Sequence, residues 1–478
     1  MRNPMPKRRY IALAICAILA AIAALPPKKA DAFAYIPDGA VAVGTHPKLR
    51  STWKRQLRHP AIASALASCG EEAEKMTHES GAFWTFLLAI GDELATAIYV
   101  GEDGHHYAAA ASPAGRRGPL LRLFWAIRWV PGLGRIQKSP DGVHFIDLTD
   151  EDDPDAQKLI LSVILDRGVL AAKLSDHPIH MDDMVASARN GGGFRGRLHR
   201  GLAETASHRI VVFPGAVPLH GFDREIAIDL SLPRNTLQVD ASLPILESDA
   251  NLRELMSQRV AGINSTAMAL ASAHAFAFAL LPSQFAAARA IPFLGCGRGK
   301  ASAEDAAAYM TTAPYGAQLF LFAVPALTIS IPGIALDDAT LKTALRPILP
   351  KQLRATFATC GRDALCSSAA SLRQQRHAAP PPAYSWKDAF ASVADMAPSA
   401  FAFIDFDIFM REARAIAQAI GVAASFSRES IDPEVASAAL KVANLLPRFP
   451  SGLYATAILM DEGGECRARM TLAQPPEP

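Results

Sequence analysis

Two stretches of the chain alternate small and large apolar residues with a period of two. Residues 275–278 and 400–403 both read Ala-Phe-Ala-Phe, and Ala-Arg-Ala-Ile recurs at the same spacing in 288–291 and 413–416. This alternation predicts β-strands whose phenylalanines face one side of a sheet and whose alanines face the other. We therefore expect two matching strands.

The pattern changes after each strand. From residue 405 the apolar spacing becomes helical, and Asp405 or Asp407 can cap the helix by accepting from its free N–H groups. Residues 454–460 and 465–472 then flank a glycine-containing turn, which predicts a β-hairpin. The unit predicted here is a strand, helices and a hairpin.

The same layout occurs near the N-terminus. Residues 95–98 and 455–458 both read Ala-Thr-Ala-Ile, and the regions 39–112 and 399–472 match at this offset. We interpret them as copies of one module, with a third, more diverged copy starting near residue 275. The alternative is that an alanine-rich chain produces such matches by coincidence.

These patterns predict an α+β fold, in which antiparallel sheets carry helices packed on one face. Further hairpins are predicted at 158–174 and 225–243, and a helix capped by Ser248 follows. The expected organisation is a signal segment (1–32), a first module (33–246), a second module (247–373), a Pro-rich linker (374–385) and a C-terminal repeat of the module (386–474).

Composition adds few constraints. The chain has 478 residues, of which 50% are hydrophobic and 20% charged, so it can bury a sizeable core. The net charge is +2. Such a balance does not favour nucleic acid as a partner.

The first 32 residues resemble an export signal. A basic start precedes an apolar run over 10–25 and an Ala-x-Ala sequence at 30–32, which predicts cleavage after Ala32. The alternative is an uncleaved inner-membrane anchor, although the run is shorter than the ~20 residues of a full span. In both cases the rest of the chain is expected in the periplasm.

A second basic and apolar stretch covers residues 116–130. It includes Arg116, Arg117, Arg122 and Arg128 among leucine and tryptophan residues. Such a segment could lie on a membrane surface as an amphipathic helix. The preferred interpretation is an ordinary packed helix with its arginines in water.

The candidate metal ligands are His177, His180 and Asp182. Imidazole and carboxylate groups this close in sequence can chelate zinc. The alternative is the start of a helix after Pro178, where the aspartates favour the helix dipole. The glycine-rich residues 295–300 lack the spacing of a phosphate loop, and no hydrolase motif occurs, so the catalytic residues are unknown and no cofactor is expected.

Cysteine chemistry depends on export. Five cysteines remain beyond the signal segment, and an oxidising compartment permits disulfides. Cys360 and Cys366 are the expected pair because they enclose only five residues. The odd count leaves at least one thiol free or bonded to another chain.

The arrangement resembles exported Gram-negative proteins with a domain of unknown function. In these, repeated strand–helix–hairpin modules open with Pro…Ala-x-Ala, here at Pro37, Ala40 and Ala42 and again at 398, 400 and 402. The resemblance covers most of 33–472 and implies no catalytic residues.

The resemblance to these exported proteins favours a non-enzymatic binding or scaffolding protein of the envelope, which contacts another protein or the membrane surface. The alternatives are an exported hydrolase with a site built from distant residues, and a carrier of apolar ligands between the phenylalanine-rich strands.

Overall fold

The structure is a computed structural model of the chain. It describes residues 31–47, 49, 52, 55–56, 59, 62–63, 93–100, 106–130, 134–149, 158–191, 207–214, 224–233, 236–260, 275–286, 305–312, 317–319, 322–333, 339, 343, 384–426, 437 and 453–474. The predicted signal segment up to residue 30, the Cys360–Cys366 pair and the linker up to residue 383 lie outside these residues. The chain divides into two compact units, the first comprising Met1–Leu57 and Glu71–Leu232 and the second Arg58–Gly70 and Pro233–Pro478.

The first unit is an antiparallel sheet with short helices. Its strands run in the order β11-β10-β1-β2-β3-β9-β8-β7-β6. The elements are β1 (Ala42–Pro47), β2 (Glu93–Val100), β3 (His106–Pro113), α1 (Gly118–Ile127), β4 (Trp129–Val130), β5 (Gly134–Arg135), β6 (Gln137–Lys138), β7 (His144–Asp147), β8 (Ile160–Asp166), β9 (Val169–Ser175), α2 (Asp182–Asn190), β10 (His208–Val212) and β11 (Ile226–Ser231). Strands β4 and β5 form a separate two-stranded sheet.

The second unit is also antiparallel. Its main sheet has the order β17-β14-β13-β18-β19-β20-β12, and β15 and β16 form a separate ribbon. The elements are β12 (Leu237–Pro244), α3 (Ala250–Ser257), β13 (Ala275–Pro282), β14 (Asp305–Thr311), β15 (Ala317–Leu319), β16 (Phe322–Val324), β17 (Ala326–Ser330), α4 (Trp386–Ala391), β18 (Ala400–Asp405), α5 (Phe406–Phe426), β19 (Tyr454–Glu462) and β20 (Glu465–Ala473). The α+β class is therefore correct. The strands of the predicted second and C-terminal modules pair with each other, β13 with β18.

The prediction that helices cover one face of the sheet is wrong in both units. In the second unit α4 packs against Phe278 and Phe401, whereas α3 packs against Leu459, whose side chain points to the opposite face. In the first unit α2 joins the core of Ala171, and Trp125 of α1 packs against Val163 on the other face. These strands carry apolar residues at both odd and even positions, which point to opposite faces of the sheet. Helices therefore pack on both faces.

The core of the second unit is aromatic. Trp386 stacks on Phe278, with ring centres 3.9 Å apart, and Phe390 meets Phe401 edge to face at 5.1 Å. Ser385 and Asp388 form a capping box that starts α4 and so sets the position of Trp386. Aromatic pairs of this kind contribute ~0.5–1.5 kcal/mol each beyond the area they bury.

The two Ala-Phe-Ala-Phe strands do not place their phenylalanines alike. On β18, Phe401 and Phe403 both join the aromatic core, as predicted. On β13, a register shift between residues 275 and 277 marks a bulge. Phe278 joins the core, whereas Phe276 faces Phe409 of α5 with ring centres 6.3 Å apart. A bulge adds one residue to a strand and so reverses the alternation.

Several element boundaries differ from the predictions. The hairpins β8–β9 and β19–β20 form as expected, and Asp405 accepts a hydrogen bond from the Ile408 N–H at the start of α5. Helix α3 begins one residue late, with Asp249 instead of Ser248 at its cap position. Strand β14 was missed because its run of alanines has helix propensity, which pairing with β13 and β17 overrides.

Candidate functional site

The predicted metal ligands lie on the surface between β9 and α2. His177 Nδ1 is 2.5 Å from Asp176 Oδ1, and His180 Nδ1 is 4.0 Å from Asp182 Oδ2. All four side chains are more than half exposed. Among the residues that the structure describes, no three His, Cys, Asp or Glu side chains are grouped to hold one ion. A metal site at these residues stays a prediction.

The same segment has a clear structural task. Asp182 and Asp183 occupy the first turn of α2, where the helix dipole stabilises carboxylates. Both oxygens of Asp183 accept from the buried Lys173 Nζ at 2.7 Å, and Nζ also donates to the His180 carbonyl at 3.0 Å. The ammonium lies 5.1 Å from the centre of the Tyr107 ring. These contacts attach α2 to the sheet.

A second polar cluster lies between β1 and β10. The Nδ1 atoms of His46 and His208 are 2.9 Å apart, so one ring donates a proton and the other accepts it. His46 Nε2 is 3.0 Å from Thr96 Oγ1, and His208 Nε2 contacts the Gln56 side-chain amide. All four ring nitrogens therefore have partners. The pair is a closed hydrogen-bond network and offers no nitrogen to a substrate.

The histidine pair is neutral at pH 7. Burial and, to a smaller extent, the charge of His208 lower the pKa of His46 to about 4, and burial also lowers the pKa of His208. Gly44 leaves room for the network, because a Cβ there would lie 2.4 Å from Thr96 Oγ1 and 2.9 Å from His46 Nε2. The cluster is a structural element that acid should disrupt.

One exposed apolar feature of the first unit is the region of α1 and β4. Leu121 of α1 is buried, and Trp125 packs with Ile136, Ile146 and Val163. These contacts fix one side of the helix on the sheet. The opposite side is free of them, so its residues can serve another purpose.

That opposite side combines apolar and basic residues. Leu123, Ile127 and Trp129 are 46%, 54% and 50% exposed, and Arg122 and Arg128 are exposed beside them. We call these five residues the α1 surface. Single exposed apolar side chains are common, but three large ones clustered on a short segment make this surface a candidate interaction site.

Arg128 has an unusual backbone conformation. It ends α1 in the left-handed region, with φ 52°, and its N–H donates to the carbonyls of Phe124 and Trp125. Glycine or asparagine adopts this conformation at lower cost. The sharp turn directs the chain from α1 into β4 and places Trp129 opposite Arg135 of β5.

Four basic residues bring positive charge to this region of the first unit. The described residues make no ion pair with Arg122, Arg128, Arg135 or Lys138. The pKa of His144 is lowered, first by burial and then by the charges of Lys138 and Arg128. These two charges thus act on the histidine ring, which lies 5.0 Å from that of Trp125.

Among the residues that the structure describes, the one cysteine is Cys466. Cys466 is a free, buried thiol on β20, and its pKa is raised by burial and then by Asp461. A buried, protonated thiol is a poor nucleophile. This cysteine therefore acts as a small apolar side chain that packs with Leu255 and Met256.

The His46–His208 pair and the α1 surface differ in how far the sequence alone predicts them. His46 and His208 are separated by 162 positions, and no local pattern connects them. The α1 surface was visible as a basic and apolar stretch. Which side of the helix packs on the sheet depends on contacts with Ile146 and Val163, which helical spacing alone does not identify.

The fold and these sites define an α+β protein of two antiparallel-sheet units with a basic, apolar surface on the first. No family model matches the chain, and no curated protein is significantly similar to it. Solved structures of TP0453 in crystal forms I, III and IV are 11%, 12% and 12% identical. They cover 48%, 48% and 50% of this chain and 83%, 84% and 89% of TP0453, with TM-scores of 0.28, 0.30 and 0.29. Scores this low do not establish a shared fold.

A membrane-spanning helix would need a long apolar run. Within the described ranges, no helix has the length and apolar character to cross a bilayer. The apolar run over 10–25 lies outside those ranges.

Proposed function

We propose that the protein is a non-enzymatic binding protein of the bacterial envelope, exported to the periplasm or held there by an uncleaved N-terminal anchor. The observation that carries this proposal is the α1 surface, where three large apolar side chains and two arginines face solvent. A soluble enzyme has no need to expose such a cluster, whereas a protein that binds a partner or a surface does.

Two further features favour binding over catalysis. The histidine pair is saturated by its own hydrogen bonds, and Lys173 is occupied by Asp183 and the His180 carbonyl. The phenylalanines of β13 and β18 are packed against Trp386, Phe390 and α5, which leaves the carrier hypothesis without support from these strands.

Duplication of one module remains part of this proposal. β1–β2–β3 and β18–β19–β20 have the same antiparallel order, which supports it. A profile of homologous sequences should align 39–112 with 399–472. A profile without internal similarity would contradict duplication.

The test is an affinity purification of the tagged protein from crosslinked envelopes, with intact mass measured on the eluate. We expect the protein in the envelope fraction with a specific crosslinked component, and a chain beginning at Phe33 if the signal is cleaved. A matched variant, Ile127→Ser with Trp129→Ser, should lose that component. Recovery of the chain in the cytosol without a crosslinked component would contradict the proposal.

A further inference from the structure

We propose that the α1 surface is a peripheral docking site for an anionic lipid bilayer. This inference rests on the envelope-binding function proposed above and names the partner.

The charge of this region is one-sided. Between Asp103 and Asp141 the sequence contains six arginine and lysine residues and no aspartate or glutamate. The cations are Arg116, Arg117, Arg122, Arg128, Arg135 and Lys138. The whole chain has a net charge of only +2, so this segment is a local concentration of charge. A basic cluster next to a bilayer attracts the anionic headgroups within about a Debye length.

The apolar residues lie among these cations. Leu123 and Ile127 are four positions apart and so occupy one side of α1, and Trp129 follows at the turn. Packing of the helix on the sheet accounts for Leu121 and Trp125. It does not explain why Leu123, Ile127 and Trp129 are exposed. Tryptophan favours the membrane interface, and aliphatic residues enter the acyl boundary below it.

The backbone holds this group in place. The left-handed conformation of Arg128 and its N–H bonds to Phe124 and Trp125 connect α1 to the β4–β5 hairpin. The Ile136 N–H donates to the Arg128 carbonyl at 3.0 Å. The arginine and tryptophan are thus presented next to the helix by a hydrogen-bonded turn, so little ordering is needed on binding.

A bilayer fits these side chains better than other anionic partners. Nucleic acid is bound by basic residues together with aromatic or hydrogen-bonding side chains, and exposed leucine and isoleucine do not contribute to such binding. An acidic protein could use both groups, and it is an alternative outcome of the test. The bilayer accounts for the three apolar residues and the surrounding cations together.

The experiment is flotation of the full purified chain with vesicles of phosphatidylcholine alone or with 30% phosphatidylglycerol. We expect binding to the anionic vesicles only, decreasing with added salt. Each arginine neutralised should lower the partition about fivefold, and each reversed about 25-fold, since one basic residue near the surface contributes roughly 1 kcal/mol. Arg122→Glu with Arg128→Glu should therefore abolish measurable flotation.

Controls separate this surface from the rest of the chain. Arg253→Glu with Arg411→Glu makes the same charge change at exposed positions of the second unit and should keep binding within twofold. Ile127→Ser with Trp129→Ser should weaken binding with no change in the circular dichroism spectrum. Because every variant keeps the apolar N-terminal run, insertion of that run would give equal flotation throughout.

Equal flotation of all variants, or none by the wild type, would overturn the lipid inference. If the wild type fails to bind vesicles but yields a specific protein from crosslinked envelopes, the lipid inference falls while the envelope-binding function stands. If both experiments fail, both proposals fall.

Discussion

The tetrapeptide Ala-Thr-Ala-Ile occurs on β2 of the first unit and on β19 of the second, yet the two copies face opposite ways. Ile98 points away from the main core and is 48% exposed, whereas Ile458 is 3% exposed in the aromatic core. The core of the first unit instead uses Ala95 and Ala97. Local sequence predicts a strand in both cases, but the surrounding core decides which face is buried.

Register explains the difference. Val43 on β1 lies opposite Ala97, while Phe403 on β18 lies opposite Thr456. Val43 and Phe403 match at an offset of 360, so the spatial equivalent of Ala97 is Thr456, at an offset of 359. A shift of one residue reverses every side chain of a strand. The repeated tetrapeptide is therefore not in structurally equivalent positions.

The largest predicted effect concerns the aromatic core of the second unit. Trp386→Ala should cost about 3–5 kcal/mol of unfolding free energy, because it removes a fully buried ring. Trp386→Phe keeps the stacking partner of Phe278 and should cost far less, since the buried Nε1 finds no acceptor among the described residues. Urea unfolding of both variants measures this. Equal losses would contradict the packing described for α4.

Truncation of the isoleucine in each copy of the tetrapeptide tests whether Ile458 is buried and Ile98 is exposed. Ile458→Ala should cost about 2–5 kcal/mol, and Ile98→Ala no more than about 0.5 kcal/mol, as expected for buried and surface positions. Hydrogen exchange of β19 and β2 would locate each effect. Similar costs at the two positions would show that the assigned registers are wrong.

Acid should destabilise the first unit at the His46–His208 pair, which joins β1 to β10. The pKa of His46 is about 4 in the folded protein and 6.5 in an unfolded chain, so the unfolded chain binds the proton more readily. Protonation of His46 therefore has little effect on the free energy of unfolding above pH 6.5, and lowers it by about 3 kcal/mol as the pH falls towards 4.

Hydrogen exchange at pH 7 and pH 5 measures this acid effect. Protection of β1 and β10 should fall at pH 5, and His46→Gln should remove most of the difference. Unchanged protection of β1 at pH 5 would contradict the neutral pair.

The smallest effect is expected at the polar contact in the alanine-lined core. Asp183→Ala leaves the buried Lys173 ammonium with only the His180 carbonyl and the Tyr107 ring, and it should cost about 1–3 kcal/mol. Lys173→Met removes the charge and should be milder, because it leaves no buried cation. Thermal unfolding compares the two. A milder effect for Asp183→Ala would contradict this account.

Elements with a local sequence signal could be predicted. The glycines of the β19–β20 hairpin, both of which have positive φ, indicate its turn, and the apolar spacing after Asp405 indicates the helix. Features that depend on contacts between distant residues could not be predicted. The bulge at 275–277 separates Phe276 from Phe278, and the pairing of β14 overrides its alanine-rich sequence. The His46–His208 pair exists only because β1 and β10 are neighbours in the sheet.

The proposed binding function requires that the α1 surface contacts the envelope. The most direct measurement places a photoreactive amino acid at Ile127, or at the exposed Asp395 as a control, and irradiates intact cells. We predict adducts of anionic lipid at position 127 and none at position 395. No adduct at 127, or equal labelling at both positions, would contradict the claim.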